Sequence, residues 1–361
     1  MSEGFLLSRV LLRFEDSSDD LVGELSAAAI TPDGSLWVGS DELLGVERLS
    51  QVEPFVFGNH KHFSLLDFIE LPNTEDEIDI EGMDYSHGYL WVMGSHSTKR
   101  KKPKRKDPEK DVERLSEVKS EANRYLIARI PIIDGNLIKS CTLKDDPEKK
   151  RTAALLETTK EGNILVESLK SDPHIGTIIS SGLPSKDNGL DIEGLAVSKN
   201  RIFLGLRGPV LRGFAIILEI EVEETKPGVL ALKPIEKDGQ LYRKHFIELD
   251  GLGIRELFLH DGDLIILGGP TMDLNGAMRV FRLKNIEKRT EEMIYWQESK
   301  HLEVMFDLPI KVGTDKAEGI AHFPCLGQSD SVLIVYDSPA PERRPNGNEL
   351  LADVFRLKSE S

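Results

Sequence analysis

The stretch Asp191-Ile192-Glu193-Gly194-Leu195 decides the fold, because the chain repeats it. A near-identical copy is Asp79-Ile80-Glu81-Gly82-Met83, and weaker copies are Gly253-Ile254-Arg255-Glu256-Leu257, Lys316-Ala317-Glu318-Gly319-Ile320 and Glu24-Leu25-Ser26-Ala27-Ala28. The third positions of the copies are 26, 81, 193, 255 and 318, so the gaps are 55, 112, 62 and 63 residues. Three gaps agree and the fourth is about double, which indicates a repeat architecture.

The residues after each copy also follow one pattern. A short turn leads into a second apolar strand, as in Leu90–Gly94 and Ile202–Gly205, and a third and a fourth strand precede the next copy. Four antiparallel strands per repeat predict an all-β fold, a β-propeller of five four-stranded blades. Six blades are the alternative if the doubled gap hides another repeat, and a β-sandwich with a chance repeat is the other alternative.

The two ends of the chain predict how the ring closes. The chain ends on a third strand, Val354–Leu357, and begins with an isolated strand, Ser8–Phe14. We expect the N-terminal strand to complete the last blade, because closure removes exposed sheet edges. The whole chain, 1–361, is therefore predicted to be a single propeller domain.

Two insertions account for the doubled gap. The first, 97–121, contains the run Lys99–Lys110 with eight Lys or Arg in twelve positions, and its like charges predict a mobile basic loop. The second, 147–171, is rich in Glu, Lys and Leu and is predicted to be helical. Its apolar residues need a surface to cover, and we expect the segment to wall one side of the channel mouth.

Charge and composition exclude several functional classes. The chain has 46 Lys or Arg against 62 Asp or Glu, a net charge of −16, which repels phosphate backbones and anionic lipid. This charge disfavours nucleic acid as a partner, and no apolar run approaches the length of a membrane span. Two cysteines are too few for a disulfide framework, and the N-terminus does not have the pattern of a signal peptide. The expected compartment is the cytoplasm.

The segment Leu183–Leu195, followed by Gly205-Leu206-Arg207-Gly208-Pro209-Val210, resembles a bacterial family known only as a domain of unknown function with propeller-like repeats. More loosely, the Asp-x-Glu-Gly copies resemble phytase-like esterase propellers and gluconolactonase-like calcium propellers. The first resemblance implies a fold and no activity. The looser ones imply a hydrolase that depends on a divalent metal ion.

Propeller geometry brings two sets of residues to one face. The first strand of a blade lines the channel and the second runs back, so the start of one and the end of the other lie together. Glu81, Glu193 and Glu318 would then crowd around one axis, where their charges need a counter-charge. A divalent cation such as Ca²⁺ is one candidate, with these three carboxylates as its ligands. The guanidinium groups of Arg207 and Arg255 are the other.

These residues give two functional hypotheses. In the first, the channel mouth binds a divalent cation or a small anionic ligand and hydrolyses an ester or phosphoester. The candidate catalytic residues are His96 as proton carrier and Glu193 as acid or base, and the candidate ligand-binding residues are Arg207, Arg255, Asp337 and Asn188. In the second, the protein is a non-catalytic interaction propeller whose channel is plugged by a Glu/Arg network. Its loops, notably 97–121, would then contact a protein partner.

Overall fold

Antiparallel strands dominate the computed structural model, which describes residues 5–15, 18–142, 150–236, 239–272, 274–309 and 311–357. The first strands are Leu6–Arg13 (β1), Leu25–Ile30 (β2), Leu36–Ser40 (β3), Gly45–Glu53 (β4), Val56–Ser64 (β5), Ile80–Ser86 (β6), Tyr89–Gly94 (β7), Thr98–Arg100 (β8), Val118–Ser120 (β9), Ile127–Ile133 (β10), Asn136–Leu137 (β11), Ser140–Thr142 (β12), Lys150–Thr152 (β13), Ala154–Leu156 (β14), Thr158–Thr159 (β15) and Gly162–Asn163 (β16). The others are Asp191–Ser198 (β17), Arg201–Gly208 (β18), Phe214–Lys226 (β19), Val229–Lys233 (β20), Tyr242–Glu248 (β21), Gly253–His260 (β22), Asp263–Gly269 (β23), Arg279–Leu283 (β24), Met293–Tyr295 (β25), Leu302–Asp307 (β26), Lys316–His322 (β27), Ser331–Asp337 (β28) and Glu349–Arg356 (β29).

The helices are short. The α-helices are Asp19–Val22 (α1), Pro108–Ser116 (α2), Ile164–Leu169 (α3) and Gly176–Ser180 (α4). Single 3₁₀ turns occur at Leu65–Asp67, Ala122–Tyr125, Ser185–Asp187, Ile286–Lys288 and Pro341–Arg343.

Most strands of the described residues form five mainly antiparallel groups, and β8-β9, β12-β13 and β15-β16 form separate two-stranded ribbons. Group one is β2-β3-β4-β5, group two is β6-β7-β10-β14, and group four is β22-β23-β24-β26. Group three starts β17-β18-β19, and the long strand β19 pairs with β21 along its first half and with β20 along its second. Group five is β27-β28-β29-β1. Each group begins with a copy of the repeated motif, so the repeat in the sequence is a repeat of strand groups.

The first strands of the groups contact one another in a cyclic order. β2 contacts β6, β6 contacts β17, β17 contacts β22, β22 contacts β27, and β27 contacts β2. Five hydrophobic clusters fill the spaces between successive groups, and Leu195, Leu257 and Ile320 belong to three of them. Apolar side chains on both faces of each sheet are therefore covered by a neighbouring group. The fold is all-β and propeller-like, as the sequence predicts.

The ring closes through the N-terminal strand. β1 pairs antiparallel with β29, with Leu12 opposite Leu350 and Val10 opposite Ala352, and it also pairs briefly in parallel with β5. Val10 and Leu12 are fully buried. The predicted pairing of the two chain ends is confirmed.

The segment 147–171 differs from its prediction. Residues 147–149 lie outside the described residues, and 150–163 form the short strands β13 to β16. Helix is present only at α3. Ala154–Leu156 has a helix-favouring composition, but it pairs with β10 and β20, and this tertiary pairing outweighs the local preference.

The segment 97–121 is a folded insertion with regular structure. β8 and β9 pair as an antiparallel ribbon, and α2 lies between them in sequence. Its predicted mobility stays a prediction.

No helix in the described ranges is long and apolar enough to cross a membrane. The cytoplasmic location stays a prediction.

Candidate functional site

The third residue of each motif copy lies at an irregularity in its strand. The pairing between first and second strand slips by one residue at each of these positions, which are Ser26, Glu81, Glu193, Arg255 and Glu318. Such a bulge re-aims the side chain of the extra residue. The five side chains are thus structurally equivalent, and they belong to the five strands that surround the axis.

Two arginines and two glutamates form a buried network at the axis. Arg207 Nη1 donates to Glu193 Oε1 at 2.9 Å, and Arg255 Nε lies 3.0 Å from Glu193 Oε2. Arg255 also forms an ion pair with Glu318 through Nη2. The side chain of Glu193 is almost completely buried, and the other three are largely so. These four side chains carry two charges of each sign, and Arg207 also lies 3.5 Å from a further carboxylate, that of Asp191.

The predicted metal ligands are not arranged to hold a divalent ion. Both oxygens of Glu193 face arginine nitrogens and Glu318 is paired with Arg255, which leaves Glu81 as the member of the set without an arginine. The part of the chain that the structure describes contains no group of three His, Cys, Asp or Glu side chains arranged to hold a metal ion. The set Glu81, Glu193 and Glu318 therefore does not fit a metal site, because guanidinium groups already supply the counter-charge.

Two carboxyl groups at the mouth have no cation partner among the described residues. Burial, together with the charges of Glu193 and Asp79, raises the pKa of Glu81 well above its ordinary value. Burial and the charges of Asp79 and Glu24 raise the pKa of Asp41 to about 8, and its Oδ1 is buried without a hydrogen-bond partner. Asp41 also contributes to the shift of Glu81, so the two groups act on one region of the mouth. Asp41 is expected to carry its proton at neutral pH, and Glu81 to keep its proton to a higher pH than an ordinary glutamate does.

The first position of the motif supplies further carboxylates that the sequence analysis did not select. Arg124 Nη1 lies 2.6 Å from Asp79 Oδ2, and burial raises the pKa of Asp79 to about 6 although Arg124 opposes this. Burial and the charge of Glu193 raise the pKa of Asp191 to about 7, and Arg207 is 3.5 Å away. The sequence contained a signal for both aspartates, because each lies two residues before a glutamate that the motif had already selected. Arg124 precedes a third strand and had no such signal.

Asp337 and Glu24 form a carboxyl pair where group five meets group one. Burial and a hydrogen bond with Asp337 raise the pKa of Glu24 to about 7. Against the effect of burial, the hydrogen bond from Lys316 Nζ, at 2.8 Å, lowers the pKa of Asp337. The pair therefore shares one proton near neutral pH. Asp337, predicted to bind ligand, lies at the mouth and is already engaged by Lys316.

His96 has a different environment from the expected one. Its Nδ1 donates to the carbonyl of Gly94 at 2.7 Å, and its Nε2 accepts from Asn163 Nδ2 at 2.8 Å. Burial lowers the pKa of His96 to about 4, which disfavours the predicted role of proton carrier at neutral pH. With both nitrogens engaged, the ring fixes the end of β7 to the N-terminus of α3. It lies beside a cleft of about 420 Å³ that residues of α3, α4 and the 97–121 insertion also line.

Asn188 supports the segment that carries Arg207. It adopts a left-handed conformation with φ 65°, and its Oδ1 accepts from the backbone N–H of Val210 at 3.1 Å.

The first motif residue of group four is Gly253, and the space around it explains why this group has no acidic residue there. A Cβ atom at Gly253 would lie 2.1 Å from the carbonyl oxygen of Arg207, so a side chain there cannot fit without displacing Arg207.

Comparison with known proteins identifies a family. Residues 24–353 match DUF3616, a family of proteins of unknown function, and the chain belongs to that family. No curated protein matches the sequence. The sequence resemblance to a family without established activity is thereby confirmed.

Solved structures of similar architecture cover nearly the whole chain. The PQQ-bound aldose sugar dehydrogenase of Streptomyces coelicolor is 12% identical with a TM-score of 0.37, and the match covers 96% of this chain and 98% of that one. Virginiamycin B lyase of Staphylococcus aureus is 9% identical with a TM-score of 0.38, covering 96% and 99%. A structure assigned as a gluconolactonase is 11% identical with a TM-score of 0.38, covering 93% and 76%. With TM-scores below 0.4, these likenesses say nothing about what this chain binds or does.

Proposed function

We propose that this member of the DUF3616 family is a five-bladed propeller that binds a small organic cation at the acidic mouth of its channel. The five blades are supported by the cyclic order of the first strands and by the five hydrophobic clusters between the groups. The observation that carries the ligand proposal is the pair of carboxyl groups at the mouth, Glu81 and Asp41, that lack a cation partner among the described residues.

The charge balance at the mouth and axis supports a cation. Eight carboxyl groups lie there, belonging to Glu24, Asp41, Asp79, Glu81, Asp191, Glu193, Glu318 and Asp337. Four cationic groups form ion pairs with members of this set, belonging to Arg124, Arg207, Arg255 and Lys316, and Arg124 is shared with Glu77 and Glu121 outside it. In the free protein, protons on the carboxyls with raised pKa offset the excess. A bound cation would replace those protons.

The arrangement favours an ammonium group over a metal ion or an anion. A Ca²⁺ ion needs six or more oxygens at about 2.3–2.6 Å, and the predicted ligand set is held apart by arginines. An ammonium group needs only carboxylate acceptors at ordinary hydrogen-bond distance. The predicted anionic ligand has less support, because Arg207 and Arg255 are already paired with buried glutamates.

Isothermal titration calorimetry tests the proposal with putrescine and CaCl₂ as probes. At pH 7, in two buffers of different ionisation enthalpy, we expect putrescine to bind with release of protons from the mouth carboxyls. Glu81→Gln should weaken binding about tenfold, the effect of losing about 1.4 kcal/mol of interaction free energy. Glu291→Gln, an exposed glutamate outside the mouth, should bind like the parent. Putrescine binding that is absent, or equal in both variants, contradicts the proposal, as does binding of CaCl₂ alone.

One observation favours a second candidate, the interaction propeller with a structural channel. The network of Glu193, Arg207, Arg255 and Glu318 is buried and neutral, as a plug would be. Under this alternative, Glu81→Gln changes stability and no ligand affinity. The predicted hydrolysis of an ester or phosphoester stays a prediction, and Glu81 suits a proton donor better than His96 does, because its pKa is raised rather than lowered.

A further inference from the structure

The basic insertion, residues 97–121, presents a capped helix, α2, on the two-stranded ribbon of β8 and β9. Pro108 occupies the first turn of α2, and the carboxylate of Asp107 accepts from the backbone N–H groups of Glu109 and Lys110, which caps the helix. Two ion pairs fix the ribbon below it to the rest of the protein. Lys99 Nζ forms an ion pair with Glu77, and Arg100 Nη2 lies 2.7 Å from Asp187.

Beyond these fixed cations, the insertion carries a cluster of exposed positive charge. Residues 99–119 contain ten Lys or Arg and five Asp or Glu, a charge of +5. Subtracting this from −16 leaves −21 for the rest of the chain. Lys102, Lys104, Arg105 and Lys106 are exposed, and among the described residues no carboxylate forms an ion pair with their side chains, although Asp111 accepts from the backbone N–H groups of Lys104 and Arg105. The insertion is thus a positive patch on a strongly negative molecule.

The same insertion exposes aliphatic side chains. Val112 and Leu115 are 71% and 46% exposed, and Val118, just beyond the helix, is 44% exposed. Val112 and Leu115 are three residues apart in α2, so they share one face of the helix. α2 buries no residue against the rest of the protein. A capped, anchored helix with an uncovered aliphatic face has the composition of a binding surface.

We propose that the basic insertion docks an acidic segment of a partner protein, one that alternates carboxylates with aliphatic side chains. The carboxylates would pair with Lys102, Lys104, Arg105 and Lys106, and the aliphatic side chains would cover Val112 and Leu115. Charge complementarity identifies the occupant. Two whole copies of this chain, each at −16, repel one another, whereas a short acidic segment contacts mainly the local +5.

The aliphatic face distinguishes this partner from other polyanions. Nucleic acid binding uses cations with stacking or base-contacting groups, and the insertion between 97 and 121 has no aromatic residue. An anionic membrane would extend along the whole −21 surface and be repelled by it. Neither polyanion matches the local pairing of charge with exposed Val and Leu as well as an acidic peptide does.

Fluorescence anisotropy tests the proposal with the full chain and four labelled or competing probes. The probes are a short fluorescein-labelled peptide of alternating Glu and Leu, polyglutamate of equal length, oligothymidylate, and phosphatidylserine vesicles. We expect the Glu/Leu peptide to bind most tightly and its affinity to fall with added salt. Tighter binding of oligothymidylate or vesicles, no peptide binding, or dimerisation of the chain through this surface overturns the proposal.

Three variants separate the contributions of charge and apolar contact. Replacing Lys102, Lys104, Arg105 and Lys106 by Gln should weaken peptide binding about tenfold and flatten the salt dependence, an effect of about 1.4 kcal/mol. V112S/L115S should weaken binding and leave the salt dependence in place. The matched control replaces the exposed Lys139, Arg212, Lys226 and Lys300 by Gln and should bind like the parent. Equal loss in the control and the first variant shows a nonspecific charge effect and overturns the proposal.

Discussion

At the scale of single residues, the mouth is defined by buried carboxyl groups whose pKa values are raised. Asp41 and Glu81 are surrounded by other carboxylates, and burial disfavours their ionised forms. The sequence predicted Glu81 from its motif position, but it could not show which glutamates would be neutralised. That depends on Arg207 and Arg255 reaching Glu193 from two different strand groups. His96 was misjudged because its burial and its contact with Asn163 arise from a segment 67 residues away in sequence.

Asp41→Asn should stabilise the protein at alkaline pH. The pKa of Asp41 rises from an ordinary 3.8 to about 8 on folding, so the unfolded chain loses its proton first. The stabilisation that protonated Asp41 contributes is fully present below pH 3.8 and is lost as pH rises towards 8. Asparagine has no such ionisation, so the variant should unfold about 2 °C above the parent at pH 8, with a smaller difference at pH 5. Thermal unfolding at the two pH values measures this.

Asp261→Asn is the matched control, because the side chain of Asp261 is 84% exposed. Its unfolding temperature should equal that of the parent at both pH values. A gain for Asp41→Asn that is the same at pH 5 and pH 8 would show that its carboxyl is not protonated in the folded protein.

At the scale of elements, strands were easier to predict than insertions. The apolar runs after each motif copy predict strands because the same pattern recurs in every copy, whereas the insertions occur once. Ala154–Leu156 is a strand because β10 and β20 offer edges to it, and nothing local in the sequence shows this. The sequence shows that the glycine recurs, and the structure gives the packing reason. A Cβ atom at Gly194 would lie 2.7 Å from the Leu257 side chain of the next first strand.

Limited trypsin digestion should separate the two insertions. Lys102 to Lys106 are exposed and lie outside regular structure, so the first cuts should fall there. The segment 150–171 should resist, because Leu165, Val166 and Leu169 are buried and β14 is paired on both sides. Mass spectrometry of early fragments identifies the cuts. The variant with Gln at the four exposed cations is the control and should lose the early fragments. Early cutting at Arg151 or Lys170 would show that 150–171 opens independently.

At the scale of the whole molecule, the chain ends hold the ring together. Group five lacks a fourth strand of its own, and β1 supplies it from the far end of the chain. The repeat pattern was enough to predict this, because a missing strand at one end matched an isolated strand at the other. The contacts across the axis could not be predicted from the sequence, because they depend on how far each bulge turns its side chain.

Deleting residues 1–14 should open the ring. The edges of β29 and β5 would lose their hydrogen-bond partner, and the buried Val10 and Leu12 would leave the cluster between groups five and one. We expect aggregation and loss of a single cooperative unfolding transition, measured by calorimetry and light scattering. A synthetic peptide of residues 5–15 should restore cooperative unfolding when added to the shortened chain, because its backbone can pair with both edges. The same peptide with Val10 and Leu12 replaced by Ser keeps the backbone groups and loses the apolar contacts. This peptide should therefore not restore cooperative unfolding. If the shortened chain unfolds like the parent without any peptide, β1 does not close the ring.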